Sequence, residues 1–513
     1  METALAEAFR LLPDHLGQHV QVSATALALG LAISLPLAIF ALRRPRLRTV
    51  LLGIAGVVQT IPGIALLALF FPLLLGIAAL SGAWFGFEFS ALGFLPSVLA
   101  LALYSVLPIL RNTIAGVEGI DPALIQAARG VGMTRWQSLR MVELPLAAPV
   151  IMAGIRTSTV WVIGTATLST PVGQTSLGNY IFTGLQIQNW IFVLFGCFAA
   201  AILALAIDTM LGMMERGVAV RSRMRILIGA AGIALIVLAA LGPGLMRAPA
   251  GYLIGAKPFA EQIILASLIE QRLKAEGENA SRREGLGSTV AFSALAAGEI
   301  DAYVEYSGTI YTNYMKRTDT RPREETLAAV TEWLAKEHGI AVVGGLGFEN
   351  AYALAMPRAQ AEKLGIRTIA DLAPHASNLT IAGDYEFFGR PEWNALRNTY
   401  SLRFSQARQM LSEFMYRAAG READVIAAYT SDGRIQQYDL VVLEDPKNAI
   451  PPYDALVVVA PGRAKDERLL KALKPLIGAI DIEAMRAANL QANEGRSPAA
   501  AARWLWERIQ NAK

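Results

Sequence analysis

The side chains best suited to chemistry lie in the second half of the chain, and they are aromatic, amide and guanidinium groups. They occur in six short segments: Lys257-Pro-Phe-Ala-Glu-Gln262, Glu305-Tyr-Ser-Gly-Thr309, Glu349-Asn-Ala-Tyr352, Asp384-Tyr-Glu-Phe-Phe-Gly-Arg390, Ala428-Tyr-Thr-Ser-Asp432 and Pro452-Tyr453. A cation without N–H groups cannot donate hydrogen bonds, so it is held by the negative faces of aromatic rings. A carboxylate on the same molecule calls for a forked cation such as Arg. An isolated tyrosine is ordinarily a half-buried packing residue, and Tyr303, Tyr311 and Tyr314, which flank Tyr306 at other phases, read as structural. His338 and His375 have no companions at metal-ligand spacing and read as surface residues. No nucleophile–base pair stands out, so neither an enzyme nor a bound metal or cofactor is expected.

These segments belong to a stretch, 251–513, in which apolar strands alternate with amphipathic helices. Tyr252-Leu-Ile-Gly-Ala reads as a strand, 260–276 and 327–338 as helices, and Leu440-Val-Val-Leu and Ala455-Leu-Val-Val-Val as strands. Such alternation argues for α/β architecture. The chain ahead of it is different. Apolar residues make up 54% of the whole and charged residues only 17%, and the charge deficit lies in the first half, which contains no lysine; the first is Lys257. No clustered basic stripe suggests a nucleic-acid partner. The lone Cys197 lies in an apolar run and reads as a small membrane-facing or helix-packing residue. The first twenty residues lack the basic start and cleavage site of a removable signal peptide.

A helix needs about twenty mainly apolar residues to cross a bilayer, and six stretches qualify, near 21–42, 50–76, 94–116, 147–170, 191–214 and 226–246. The second is broken by Pro62 and Pro72 and is expected to be kinked or only partly spanning. Arg43, Arg44, Arg46 and Arg48 follow the first span, Arg111, Arg129, Arg135 and Arg140 the third, and Arg216, Arg221, Arg223 and Arg225 the fifth, while the intervening loops carry no Lys or Arg. Positive loops prefer the cytoplasm, so the N-terminus and the residues after 246 are expected outside. The Gly-, Ser- and Thr-rich stretch from Gly154 suits close helix packing or a polar pathway.

The longest cytoplasmic loop runs from Asp121-Pro-Ala-Leu-Ile-Gln-Ala-Ala-Arg-Gly-Val-Gly132 to Leu144-Pro145. Asp121 is a good N-cap with proline at the first helical position, Gly130 and Gly132 would end that helix, and a second short helix is expected from Thr134 to Val142. The loop resembles the coupling loop of ABC importer permeases, whose pattern is Glu-Ala-Ala, then a glycine, then Leu-Pro. The matching residues are Gln126, Ala127, Ala128, Gly132, Leu144 and Pro145, with Gln126 in place of the usual glutamate. The following segment is similar to permeases of the glycine betaine/carnitine/choline importers. No Gly-rich loop ending in Gly-Lys-Ser/Thr is present, so a separate cytoplasmic ATPase is expected.

Residues 251–513 resemble type II periplasmic binding proteins of the quaternary-ammonium group. That resemblance implies an N-terminal all-α polytopic membrane domain of the type I importer class with about six transmembrane helices, and a C-terminal α/β two-lobed binding domain. It divides the chain into 1–225, permease; 226–250, last span and linker; and 251–513, capture domain. Carried over by position, it makes Tyr306, Tyr352, Tyr429 and Tyr453 a cage, gives Arg390 and Thr309 a ligand carboxylate, and adds Asn350 and Gln262 as polar contacts. Asn350 stands where some relatives carry aspartate. The machine so implied is a bacterial inner-membrane importer of quaternary-ammonium osmoprotectants, working as a permease homodimer in the lipid bilayer with a partner ATPase. Ergothioneine, itself a trimethylated betaine, is the alternative cargo, and a ligand sensor is a more distant alternative.

Overall fold

The computed structural model describes residues 4–85, 93–186, 189–245, 251–317, 319, 321–384 and 386–511. Contacts divide the chain into two compact units, one made of Ala8–Phe182 and Phe192–Ala248 and the other dominated by Pro249–Lys513. The end of the expected 226–250 linker, at 246–250, lies outside the described residues.

The first unit is helical. Among the described residues five helices are long and apolar enough to cross a membrane, including Phe94–Glu118, Trp190–Ala219 and Arg223–Gly242, and a bent pair makes a sixth if it is counted as one broken span. That pair, Pro45–Thr60 and Gly63–Ala78, turns through 103°. The break falls at Ile61-Pro62, whereas Pro72 stays inside a helix, Gly63–Phe85. The kink expected at both prolines is therefore made at one. Pro62 opens a new helix, where its missing N–H costs nothing, and Pro72 is tolerated as prolines in membrane helices often are. The first helix, Ala4–Ala41, begins well before the span expected from 21.

Close approach of helices depends on small residues. A Cβ on Gly154 would lie 2.6 Å from the Asn112 Cβ and 2.9 Å from the Pro108 carbonyl. Ser158 Oγ donates to the Ser105 carbonyl, 2.9 Å, so at these positions the Gly/Ser/Thr stretch serves packing between Phe94–Glu118 and Leu144–Ala166. Arg156, on the second of these helices, forms a two-pronged pair with Asp208 at 2.6 and 2.7 Å and reaches Glu215 at 3.1 Å. Both acids lie on Trp190–Ala219. Pairing is the usual condition for ionisable groups within membrane helices.

The loop at 121–145 folds largely as its sequence suggests. Asp121 caps Pro122–Gly130 by accepting the Ala123 N–H, and Gly132 takes the left-handed φ of +82°. Thr134 and Gln137 form a reciprocal capping box. The helix expected over Thr134 to Val142 is shorter: Arg135–Ser138 passes into a π-turn, Leu139–Glu143, that continues straight into Leu144–Ala166.

The second unit holds two five-stranded sheets. Strands β1 (Tyr252–Gly255), β2 (Ala280–Arg283), β3 (Ala302–Tyr306), β4 (Ala341–Glu349) and β10 (Asp454–Val459) make the first, in the order β2-β1-β3-β10-β4. Strands β5 (Tyr352–Pro357), β6 (Thr380–Gly383), β7 (Gln406–Gln409), β8 (Val425–Tyr429) and β9 (Leu440–Val442) make the second, in the order β7-β6-β8-β5-β9. The expected helices appear as Ala260–Ala275 and Arg323–His338. The chain passes between sheets twice, at Asn350-Ala351 and between β9 and β10, and the crossings are tied by the Asn350 N–H donating to the Tyr453 carbonyl at 3.0 Å. Tyr306, Tyr352 and Tyr429 thus sit at strand ends and Asn350 and Tyr453 on the two crossings, while Gln262, Thr309 and Arg390 lie on or at the start of helical segments.

Candidate ligand-binding site

A cavity of about 320 Å³ lies between the two sheets, at the lower end of the range for small-molecule sites. Each tyrosine enters it from a strand end or a crossing. Tyr306 closes β3. Tyr352 opens β5 directly opposite Tyr429, the last residue of β8, and this pairing brings their rings to 4.9 Å. Tyr453 precedes β10 and stands perpendicular to Tyr352 at 6.1 Å and 88°. Its ring needs Gly308, where a Cβ would fall 2.4 Å from the ring edge. Phe259 lies near-parallel to Tyr306 at 6.2 Å.

The hydroxyls are all engaged, which fixes the rings. Tyr306 donates to Glu261 at 2.6 Å, Tyr429 donates to Asp384 and Tyr453 to Glu392. Burial first, then these carboxylate neighbours, push the phenols of Tyr306 and Tyr429 well above the ordinary value, so both stay neutral and present ring faces. Thr309 lines the cavity one turn beyond Tyr306.

Arg390 also lines the cavity but is not idle. Its Nε and one Nη donate to Glu392 at 3.1 and 3.2 Å, that Nη also donates to Tyr453 at 3.0 Å, and the other Nη donates to Glu386 at 2.6 Å. Its cation lies 5.0 Å from the Tyr352 ring centroid. Burial opposes the charge, and Tyr453, Tyr352 and Glu392 outweigh it, so Arg390 is held firmly protonated. Asn350 donates to Glu261 at 3.1 Å. Gln262 stands apart from the other expected residues. It donates to the Val304 carbonyl and to Tyr306 Oη and accepts the Lys257 N–H, all within the protein, so it braces Tyr306 behind the wall.

Other groups in the lining were not singled out from sequence. Glu261 is fully buried and accepts from Tyr306, Asn350 and, at 3.0 Å, Asn489. Burial raises its pKa above the carboxylate norm, against the pull of its donors. Lys257 makes a buried ion pair with Glu305 and sits 5.3 Å from the Tyr306 ring centroid. Phe259 and Glu261 lie in the Lys257–Gln262 segment, where an aromatic two residues before an acid is the available signal. Asn489, from Ile482–Asn493, had none. Among the charged side chains of the lining, Lys257, Arg390 and Arg434 face Glu261, Asp384, Glu386 and Asp432, so carboxylates are in excess. Neutral, immobilised rings beside surplus negative charge suit a desolvated organic cation.

A bundle of membrane helices continuous in sequence with a two-lobed capture domain defines a multi-pass importer subunit. Residues 30–220 match the model of the binding-protein-dependent transport system inner membrane component, and residues 252–507 match that of the substrate binding domain of ABC-type glycine betaine transport systems. Over 202 residues the chain is 41% identical to the glycine betaine/carnitine/choline transport system permease protein of Bacillus subtilis, covering 39% of this chain and 86% of that one. Over 501 residues it is 28% identical to the ergothioneine transport permease/ergothioneine binding protein of Helicobacter pylori, covering 94% and 87%. A crystal structure of a glycine betaine/carnitine/choline ABC transporter covers 51% of this chain and 100% of its own at 26% identity and a TM-score of 0.47. The chain belongs to the glycine betaine/choline/carnitine-type family of ABC importers, with permease and substrate-binding domain fused.

Proposed function

We propose that the capture domain binds a trimethylammonium compound of the glycine betaine, choline or carnitine class. The observation that carries this is the convergence of Tyr306, Tyr352, Tyr429 and Tyr453 on one cavity whose charged lining is net acidic. In this reading Tyr306, Tyr352, Tyr429, Tyr453 and Phe259 hold the cationic head, while Arg390 and Thr309 receive the carboxylate. Asn350 orients the floor, and Gln262 acts only through Tyr306. Residues 1–225 form the permease domain, 226–250 the last span and linker, and 251–513 the capture domain on the extracytoplasmic side of a bacterial inner membrane.

A permease homodimer carries two such domains, each tethered at roughly millimolar effective concentration. A separate ATPase docks on the loop at 121–145, whose Leu124, Val131, Trp136 and Met141 are exposed apolar side chains. Gln126 and Ala127 lie on its open face, and Ala128 is buried beneath. Gln126 offers hydrogen bonding without charge, so docking relies on shape and apolar contact. Calorimetric titration of the full chain in nanodiscs with glycine betaine, choline, carnitine, proline betaine and ergothioneine tests the cargo. Micromolar binding of at least one is expected, and failure of all five refutes it.

Ergothioneine is the second reading. It is favoured by the Helicobacter pylori relative, which matches across both halves of the chain. The same titration separates the two.

A further inference from the structure

Arg390 is the cation that the proposed function assigns to a ligand carboxylate, yet two protein carboxylates already hold it. They differ in kind. Glu392 is 1% exposed at its side chain, takes the Nε–Nη edge of the guanidinium, and also accepts from Tyr453 and from Thr312 at 3.0 Å. It is part of the fold. Glu386 is 53% exposed at its side chain and holds the remaining Nη at 2.6 Å. It sits four residues before Arg390, across the short turn Phe387–Gly389, and both residues line the cavity.

We propose that Glu386 is a tethered competitor that sets which ligands the cavity accepts. Before binding, its carboxylate occupies the Arg390 Nη1 position that a ligand carboxylate takes. On binding, it turns out to solvent, which its exposure permits without desolvation cost. The inference rests on the trimethylammonium reading above. A planar guanidinium offers its N–H donors in fixed directions. With the Nε–Nη edge built into Glu392 and that same Nη also donating to Tyr453, the ligand is left with the other Nη, one of whose two N–H groups Glu386 takes. A zwitterion therefore reaches Arg390 in competition with an internal carboxylate at roughly millimolar effective concentration. Choline has no carboxylate, leaves Glu386 in place, and gains from its negative charge. Glu386 thus narrows the advantage of betaines over choline.

The test is Glu386→Gln in the full chain in nanodiscs, titrated calorimetrically with glycine betaine and with choline. Exposed ion pairs are individually weak, so glycine betaine is expected to tighten only about three- to tenfold, while choline holds steady or weakens. A common shift of both ligands, no shift in either, or weaker glycine betaine binding overturns the proposal. If neither binds the unsubstituted chain, carnitine or ergothioneine takes the place of glycine betaine as the carboxylate-bearing ligand and must tighten in the same way; failure of all five compounds contradicts the trimethylammonium reading itself, and this one falls with it. If only one ligand binds the unsubstituted chain, its own shift decides: glycine betaine must tighten, and choline must not.

Discussion

The loop at 121–145 is built from one continuous run of chain, whereas the cavity gathers its lining from positions as distant as Lys257 and Asn493. In the loop each residue answers to a near neighbour: Asp121 to Ala123, Thr134 to Gln137, and Gly132 to its own φ. In the cavity each residue answers to a partner from another element: Tyr306 to Glu261, Tyr429 to Asp384, and Tyr453 to Glu392. Local parts fail locally, and converging parts fail together. Substitutions in the cavity should therefore abolish capture and leave ATPase docking intact, and substitutions in the loop should do the reverse.

The largest effect is expected from Tyr306→Ala. It removes a ring from the cation and a donor from buried Glu261, so ligand affinity should fall more than about a hundredfold, or roughly 3 kcal/mol, by calorimetry. Ligand-independent ATPase activity with the partner subunit should persist. A fall below tenfold would remove Tyr306 from the cage. Tyr429→Ala loses a ring and leaves Asp384 able to reach water, so a loss of about ten- to thirtyfold is expected. An unchanged Kd would show that the cross-strand pair with Tyr352 is packing alone.

Gly132→Ala should cost about 1 kcal/mol, because an L side chain is strained at φ +82°. Ligand-stimulated ATPase and uptake should drop severalfold with an unaltered ligand Kd. A changed Kd would erase the distinction between the two regions. The smallest effect concerns pH. Burial raises the Glu261 pKa above its ordinary 4.5, so the folded state keeps a proton over a window where the unfolded chain has lost it. Its stability contribution is fully present below about 4.5 and is lost as pH rises through the folded value. A cationic ligand prefers the ionised form, so affinity should rise with pH across that window, by at most about tenfold per unit. Glu261→Gln should flatten both profiles, read by thermal unfolding and calorimetry.

The contrast between local and converging parts also decides how much was legible in the sequence. Membrane helices announce themselves by apolar length, and the loop at 121–145 announces its Asp121 cap and its Gly132 turn within one segment; these appear where the residues put them, whereas the second loop helix ends at Ser138. The kink at Pro62 but not Pro72 was not legible, because neighbouring helices decide which proline is absorbed. In the capture domain, strands such as β1 and β10 followed from apolar runs, and the tyrosines were visible as residue types. Their pairings were not. The engagement of Arg390 by Glu386 and Glu392, the retreat of Gln262 behind Tyr306, and the arrival of Asn489 beside Glu261 all depend on contacts between segments that no local pattern encodes.

The charge on the ligand head separates a cation cage from a merely apolar slot most directly. Glycine betaine and 3,3-dimethylbutanoate share shape and carboxylate, and differ in a quaternary nitrogen against a quaternary carbon. Titrated side by side into the full chain, glycine betaine is expected to bind at least about a hundredfold more tightly, since several desolvated rings each contribute on the order of 1 kcal/mol to a cation. Equal affinity for the neutral-headed analogue would contradict the cage of Tyr306, Tyr352, Tyr429 and Tyr453.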